Sequence, residues 1–404
     1  MARRLLAQAL SLPVIVCALG LLAAHSVLGD RAVIRSMVAT FEAGGVTHGW
    51  PPWAPTAHWD ASFGVTDARA TVPRRALTAQ LAALLRPEAS SQYALIVGES
   101  GTGKSTAVRN AVRSLPTPKG AIYVAAPELV ASFSVDLALA TGFFTPFDPL
   151  RNFYGWWGGQ ATPGGDAGEE PRATWAVLRR ALQSAAAAFR AKHGRPAALI
   201  IDAADYVAKQ DPAFFLRLQD FAKVCADMGD LRVVFVSSEG AALPLMRASS
   251  AWSRALKPPF EVPDIDDDAA VAFLVGRGVA QRGAEEAVRY VTGGRFSLLL
   301  DVASAAAAKP IEAIRAELDV QTSAVLKKLG VGPTHAFFAD LVEAGSVAVD
   351  KALDHLPDAA LSSLLAANVV AMHPDGTITA QARHIESFLR KAHSRAQHIS
   401  ALGG

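Results

Sequence analysis

The sequence predicts an α/β protein: a mostly parallel sheet, then a helical module, then a small carboxy-terminal unit of helices around a hairpin. Three observations carry that prediction. Short apolar runs alternate with amphipathic segments between residues 73 and 236, the pattern of strands covered by helices on both faces. A glycine cluster, Gly98–Thr106, joins the first apolar run to the segment after it. Beyond Asp264 the apolar runs stop and helical periodicity takes over. The composition agrees. Of 404 residues, 51% are hydrophobic and 19% charged, enough to bury a core and too apolar for wholesale disorder. Lys plus Arg number 39 against 37 for Asp plus Glu, a net charge of +2, which gives no support to a nucleic-acid-coating protein. Two cysteines, Cys17 and Cys225, exclude a disulfide framework and Cys-rich zinc sites.

The chain opens with Arg3 and Arg4, followed by no charge until Asp30. As a helix, Leu5–Gly29 would reach about 37 Å, enough to cross a hydrocarbon core of about 30 Å with some tilt. Residues 1–29 are therefore read as a hydrophobic leader, with 5–29 as a single membrane anchor. The alternatives are a mitochondrial presequence, since the stretch holds Arg and Ser and no acid, and a cleaved secretory signal ending at Val27-Leu28-Gly29. Secretion is disfavoured by the phosphate-binding loop described below. Residues 30–69 are read as a linker. Val33, Ile34, Met37 and Phe41 recur at helical spacing, and Trp50-Pro51-Pro52-Trp53-Ala54-Pro55 forbids a helix or central strand.

A core domain is expected over 70–262. Leu77, Leu81, Leu84 and Leu85 form a helical stripe. Tyr93–Val97, Ala121–Val124, Leu199–Ile201 and Val233–Val236 read as buried parallel strands. Helices are expected over Ser105–Leu115, Glu128–Thr141, Trp175–Phe189 and Phe214–Val224. Gly155–Gly168 reads as a flexible insert. Residues 263–330 form the helical module, with helices at Ala269–Gly276, Ala284–Thr292, Phe296–Ala308 and Ile311–Lys328. Residues 331–404 form the carboxy-terminal unit: helices at Thr334–Ala344, Ala359–Ala367 and Arg383–His393, and a hairpin of Val369–Met372 and Thr377–Thr379 about Pro374-Asp375-Gly376.

Gly98-Glu99-Ser100-Gly101-Thr102-Gly103-Lys104-Ser105-Thr106 matches G-x-x-x-x-G-K-[ST], with the strand before it and the helix after it that the motif requires. The glycines let backbone amides converge on an anion, and the helix points its positive end at phosphates. Lys104 would reach the β- and γ-phosphates, and the Ser105 hydroxyl would bind Mg²⁺. Ala198-Leu199-Ile200-Ile201-Asp202 delivers Asp202 from a buried strand to the same place, as the second holder of Mg²⁺.

In that order of parts the chain resembles P-loop ATPases of the AAA+ and STAND type, including the archaeal-ATPase and origin-recognition branch. Pro73-Arg74-Arg75-Ala76-Leu77 is similar to the basic start of their first helix, and the two Walker motifs follow. Val233–Ser238 is similar to the strand that carries a first sensor, Thr292-Gly293-Gly294-Arg295 to a lid signature, and Leu361–Leu389 to a closing winged helix. The resemblance covers about residues 70–395. It implies ATP and Mg²⁺ as ligands. It also implies Ser237 or Ser238 as the first sensor, Arg295 as the lid residue that feels the γ-phosphate, and Arg247 or Arg254 as an arginine reaching a neighbouring subunit.

One departure matters. The family places Glu after the Walker B Asp to polarise water, and this chain has Asp202-Ala203-Ala204-Asp205. Ala203 cannot act as a base. Asp205 is the first candidate to replace it, with Glu128 and Glu239 behind it. The reading is thus a membrane-anchored, Mg-dependent ATP hydrolase that moves its lid and carboxy-terminal module. The alternatives are a nucleotide-gated scaffold with negligible hydrolysis and an ATP-dependent DNA-binding factor. For the latter, Arg383, Arg390, Lys391 and Arg395 make the final helix basic; a protein partner or self-assembly is favoured over DNA.

Overall fold

The computed structural model describes residues 31–44, 72–88, 91–126, 130, 133–143, 170–238 and 242–402. The leader, the tryptophan–proline segment, the glycine-rich insert, Glu128 and Glu239 lie outside the described residues. Among the described residues no helix is long and apolar enough to cross a membrane.

Helix α1 (31–43) comes first, then α2 (Arg75–Leu85), β1 (Ala94–Val97), α3 (Lys104–Ser114), β2 (Ala121–Ala125) and α4 (Phe133–Ala140). Next are α5 (Glu170–His193), β3 (Ala197–Asp202), α6 (Ala204–Gln210), α7 (Pro212–Met228), β4 (Leu231–Val236), α8 (Ala242–Ala248) and the two-residue β5 (Phe260–Glu261). The five strands form one sheet in the order β2-β3-β4-β1-β5, every pairing parallel. Parallel strands need crossovers, which the helices supply.

Strand alternation sorts the apolar residues onto two faces. Leu95, Ile122, Leu199 and Phe235 face one cluster with α4, α5, α7 and α8. Ile96, Tyr123, Ile200 and Val234 face the other, with α2 and α3. Helix α1, read from sequence as part of a linker, buries Val33, Met37 and Phe41 in the first cluster. Its packing is that of a core helix.

The lid contains α9 (Asp267–Gly276), α10 (Gln281–Ala287) continuing as a π-helical turn (Val288–Thr292), and α11 (Phe296–Ala305), and the long α12 (Ile311–Leu329) follows. Ile311 and Ile314 of α12 join the lid's apolar cluster, while Leu326 joins the next one. That next cluster belongs to the carboxy-terminal module: α13 (Ala336–Ala344), β6 (Val347–Ala348), α14 (Val349–His355), α15 (Asp358–Ala366), β7 (Val370–Met372), β8 (Thr377–Ala380) and α16 (Arg383–Leu402). Its strands pair antiparallel in the order β6-β8-β7, with helices and hairpin in the expected succession.

Candidate nucleotide site

The glycine-rich loop leaves the carboxyl end of β1 and enters α3. Gly103, the residue before α3, has φ +85°, and nothing lies within 4 Å of where its Cβ would stand. No side chain caps α3, so its first amides keep donors that an anion can take. Within the loop the Glu99 carbonyl accepts from the Thr102 hydroxyl at 3.0 Å and from Lys104 Nζ at 2.5 Å. Lys104 is buried, and burial pushes its ammonium down to about 8.

Asp202 ends β3 beside α3, as expected, and is buried. Its Oδ1 accepts the Ala203 amide at 2.8 Å, and its Oδ2 accepts the Tyr123 hydroxyl from the neighbouring β2. Ser105 stands in the first turn of α3 and Asp202 at the end of β3. Two hard oxygen donors of this kind fit Mg²⁺, which takes one or two protein oxygens and fills its octahedron with phosphates and water. Among the described residues no group of three or more His, Cys, Asp or Glu is placed to hold a metal ion. Ala203 takes a left-handed conformation, φ 56° and ψ 38°, at the start of α6, a strain of about 1–2 kcal/mol for a residue with a Cβ.

Asp205, the first candidate base from sequence, stands in the first turn of α6, close behind Asp202. It is buried, and its Oδ1 accepts the Ser237 hydroxyl at 2.8 Å and the Ala242 amide at 3.3 Å, while Oδ2 accepts the Ser238 amide at 2.5 Å. A carboxylate holding three donors ties the end of β4 to the start of α8 and holds Ser237, the serine that the resemblance implies as first sensor. Ser237 itself is brought beside the loop, its amide donating to the Ile96 carbonyl at 2.9 Å.

The lid closes on the loop through Arg295, which is 4% exposed. Its Nη1 donates to the Ser100 carbonyl at 2.9 Å, its Nη2 to the Glu99 carboxylate, and its Nε to Asp264 Oδ1 at 2.8 Å. Burial opposes the charge, but the Asp264 and Glu99 carboxylates outweigh it and hold the guanidinium above its ordinary range. Burial raises the Glu99 carboxyl above its usual value, with Arg295 pulling it back. The Ser297 amide adds a bond to the Gly101 carbonyl at 3.1 Å. Gly101 has φ +83°, and a Cβ there would fall 2.1 Å from Ser297 Oγ. Only glycine lets the lid approach this closely. Arg74, noted from sequence as a basic helix start, donates to the Thr102 carbonyl at 3.2 Å and to the Pro263 carbonyl at 2.7 Å, clamping the loop's far side. Beside it a cleft lined by Val72, Thr102, Asn110, Ile265 and Phe296 lies between α2, α3 and the lid.

The carboxy-terminal module meets the same loop. His373 Nδ1 lies 2.6 Å from Glu261 Oε1, its Nε2 lies 2.8 Å from Thr379 Oγ1 and 3.8 Å from Glu99 Oε1, and Arg247 donates to the Pro374 carbonyl. The bond to Glu261 raises the His373 imidazole above its ordinary range, against the effect of burial. Arg254 pairs with Asp227 at the surface. Arg247 and Arg254, expected to reach a neighbouring subunit, thus both have partners within the chain.

Tyr123, Arg74 and His373 were not singled out by sequence reasoning as site residues. For Tyr123 a signal existed: a tyrosine in a strand otherwise wholly apolar must find a hydrogen-bond partner when buried.

Comparison with known proteins agrees with this geometry. Residues 71–223 match the AAA ATPase domain family. No curated protein matches the chain. Among solved structures, the Walker-type ATPase PABY2304 of Pyrococcus abyssi superposes with a TM-score of 0.52 at 18% identity, covering 80% of this chain and 97% of that one. Cdc6p from Pyrobaculum aerophilum (TM-score 0.41, 14% identity, 83% and 98% covered) and the Aeropyrum pernix ORC1 protein in complex with DNA (0.40, 18%, 84% and 97%) are also similar, too loosely to carry an argument. With the loop, Asp202 and the parallel sheet in place, the match over residues 71–223 is to an AAA ATPase domain, and the chain has the fold of a Walker-type P-loop ATPase.

Proposed function

We propose that the protein binds ATP with Mg²⁺ and hydrolyses it slowly, using the nucleotide to set the position of its lid and its winged-helix-like carboxy-terminal module. One observation carries this reading. Arg295 of the lid and His373 of the carboxy-terminal module both reach Glu99, inside the loop whose amides and Lys104 are arranged for a triphosphate. A nucleotide that remodels the loop must disturb both contacts. Lys104 would leave the Glu99 carbonyl for the phosphates, and the α3 amides would bind them. Mg²⁺, held by Ser105 and Asp202, would neutralise charge on the phosphate oxygens. Ser237, fixed by Asp205, would orient the attacking water or the γ-phosphate.

Slow turnover is favoured by two features: Ala203 stands where a base is expected, and the Asp205 carboxylate is occupied by donors. The second reading, a nucleotide-gated scaffold with negligible hydrolysis, rests on the same two features. We retain membrane attachment through residues 5–29 as part of the proposal, supported by the uncharged length of that segment, and a protein partner or self-assembly as the output. DNA bound through the basic α16 is the less favoured partner.

Calorimetric titration of full-length protein with Mg-ATP tests the binding, and steady-state phosphate release tests the turnover. The expected result is saturable binding that Lys104→Ala abolishes, with turnover that Asp205→Asn lowers only alongside stability. No heat of binding in the unaltered protein would overturn the nucleotide reading. Binding with no phosphate release would select the scaffold.

A further inference from the structure

The reading above needs Ser105 and Asp202 to act together, yet they come from different elements: Ser105 from the first turn of α3, Asp202 from the last residue of β3. Tyr123 bonds the second of them. It stands on β2, paired with Ile200 on β3, and its ring is buried among the residues that α3 and the sheet bury together. The guanidinium of Arg109, one turn along α3 from Ser105, lies 5.9 Å from the ring centre.

The direction of the hydrogen bonds matters more than their number. Tyr123 has one proton, and it goes to Asp202 Oδ2. Asp202 is pinned at both oxygens, Oδ1 by the Ala203 amide and Oδ2 by Tyr123, and each oxygen has a second lone pair left. A cation site needs acceptors already held in place, and these two bonds fix the carboxylate before any metal arrives.

We propose that Tyr123 is a positioning residue for magnesium: its hydroxyl orients the Asp202 carboxylate so that Mg²⁺ strengthens nucleotide binding. The proposal rests on the nucleotide reading but makes a separate claim. In Tyr123→Phe the ring still fills the α3–sheet core, while Asp202 Oδ2 loses its donor and the carboxylate can turn away from the metal's place. The loss then falls on the metal-dependent part of binding alone.

The test is the ratio of ATP dissociation constants in EDTA and in Mg²⁺, measured by calorimetry on full-length protein. In Tyr123→Phe the ratio should fall on the order of tenfold, the weight of one hydrogen bond to a charged group, with affinity in EDTA unchanged. Asp202→Asn should collapse the ratio further. Adding Tyr123→Phe to Asp202→Asn should cost little beyond Asp202→Asn alone, because the carboxylate that Tyr123 orients is already gone. An unchanged ratio in Tyr123→Phe, including equal weakening with and without Mg²⁺, would overturn the positioning role and mark the tyrosine as packing. Wild-type protein that binds no ATP under either condition would overturn the nucleotide reading and this proposal with it. Thermal unfolding of each variant confirms that the ratio is read on folded protein.

Discussion

Removing Arg295 gives the sharpest test of how the lid is held. The side chain is 5% exposed and bonds two carboxylates and a loop carbonyl. Truncating one member of a buried ion pair costs about 3–5 kcal/mol, because the remaining charge is left without a partner. The low end applies here: Asp264 is 37% exposed and can rehydrate, so the penalty falls on Glu99, which is 17% exposed. Arg295→Ala should therefore lose about 3 kcal/mol in urea unfolding followed by circular dichroism at constant m. Glu99→Gln in that background should restore about 1–3 kcal/mol, the coupling expected of residues in one network. The pH dependence has a fixed sign. Burial already holds the Glu99 pKa above 4.5, and without Arg295 it must rise further. A carboxyl with a raised folded pKa favours the fold while protonated and loses that contribution as pH rises through its folded value. The deficit of Arg295→Ala should thus be larger at about pH 8 than at about pH 5. If the two substitutions simply add, within about 0.5 kcal/mol, and the deficit ignores pH, the ion pair is not what secures the lid.

Three other outcomes follow from particular contacts. Burial lowers Lys104 to about 8, and phosphates should return it toward its ordinary value. ATP binding at about pH 9 should therefore take up a proton, seen as a binding enthalpy that varies with buffer ionisation heat; no buffer dependence would contradict this. The raised pKa of His373 means that the charged imidazole's hold on Glu261 is full below about pH 6.5 and lost as pH climbs through its folded value. Hydrogen exchange in β7 and β8 should quicken between about pH 6 and pH 8.5 beyond the intrinsic rate change, and His373→Gln should remove that excess. Gly294→Ala would place a Cβ 1.6 Å from the Ile265 carbonyl oxygen. It should destabilise the lid by about 1–3 kcal/mol or more, read as a lowered urea midpoint; wild-type stability would contradict the observed approach.

Much of this architecture was legible in the sequence, for physical reasons. Strands β1 to β4 are buried on both faces, so they read as continuous apolar runs. The loop motif fixes its own geometry through its glycines and the following helix. What stayed hidden was what long-range contacts decide. Strand β5 has two residues, Phe260 and Glu261, just beyond Pro258 and Pro259, too short to show alternation. Helices α6 and α8 span seven residues each, too few for a period. Asp205 reads as a spare carboxylate until Ser237, Ser238 and Ala242, more than thirty residues away, are seen to bond it. Tyr123 passed as one more strand residue because Asp202, which its hydroxyl bonds, sits on another strand 79 residues away.

Helix α12 begins in one apolar cluster and ends in another. Its 19 residues span about 28 Å as a single rod. A rod anchored at both ends works as a crank. A turn of about 10° where it leaves the lid would sweep its far end by about 5 Å over that length, more than the reach of the bonds that seat His373. A tilt too slight to notice around Arg295 would thus suffice to unseat a hairpin nearly eighty residues farther along the chain.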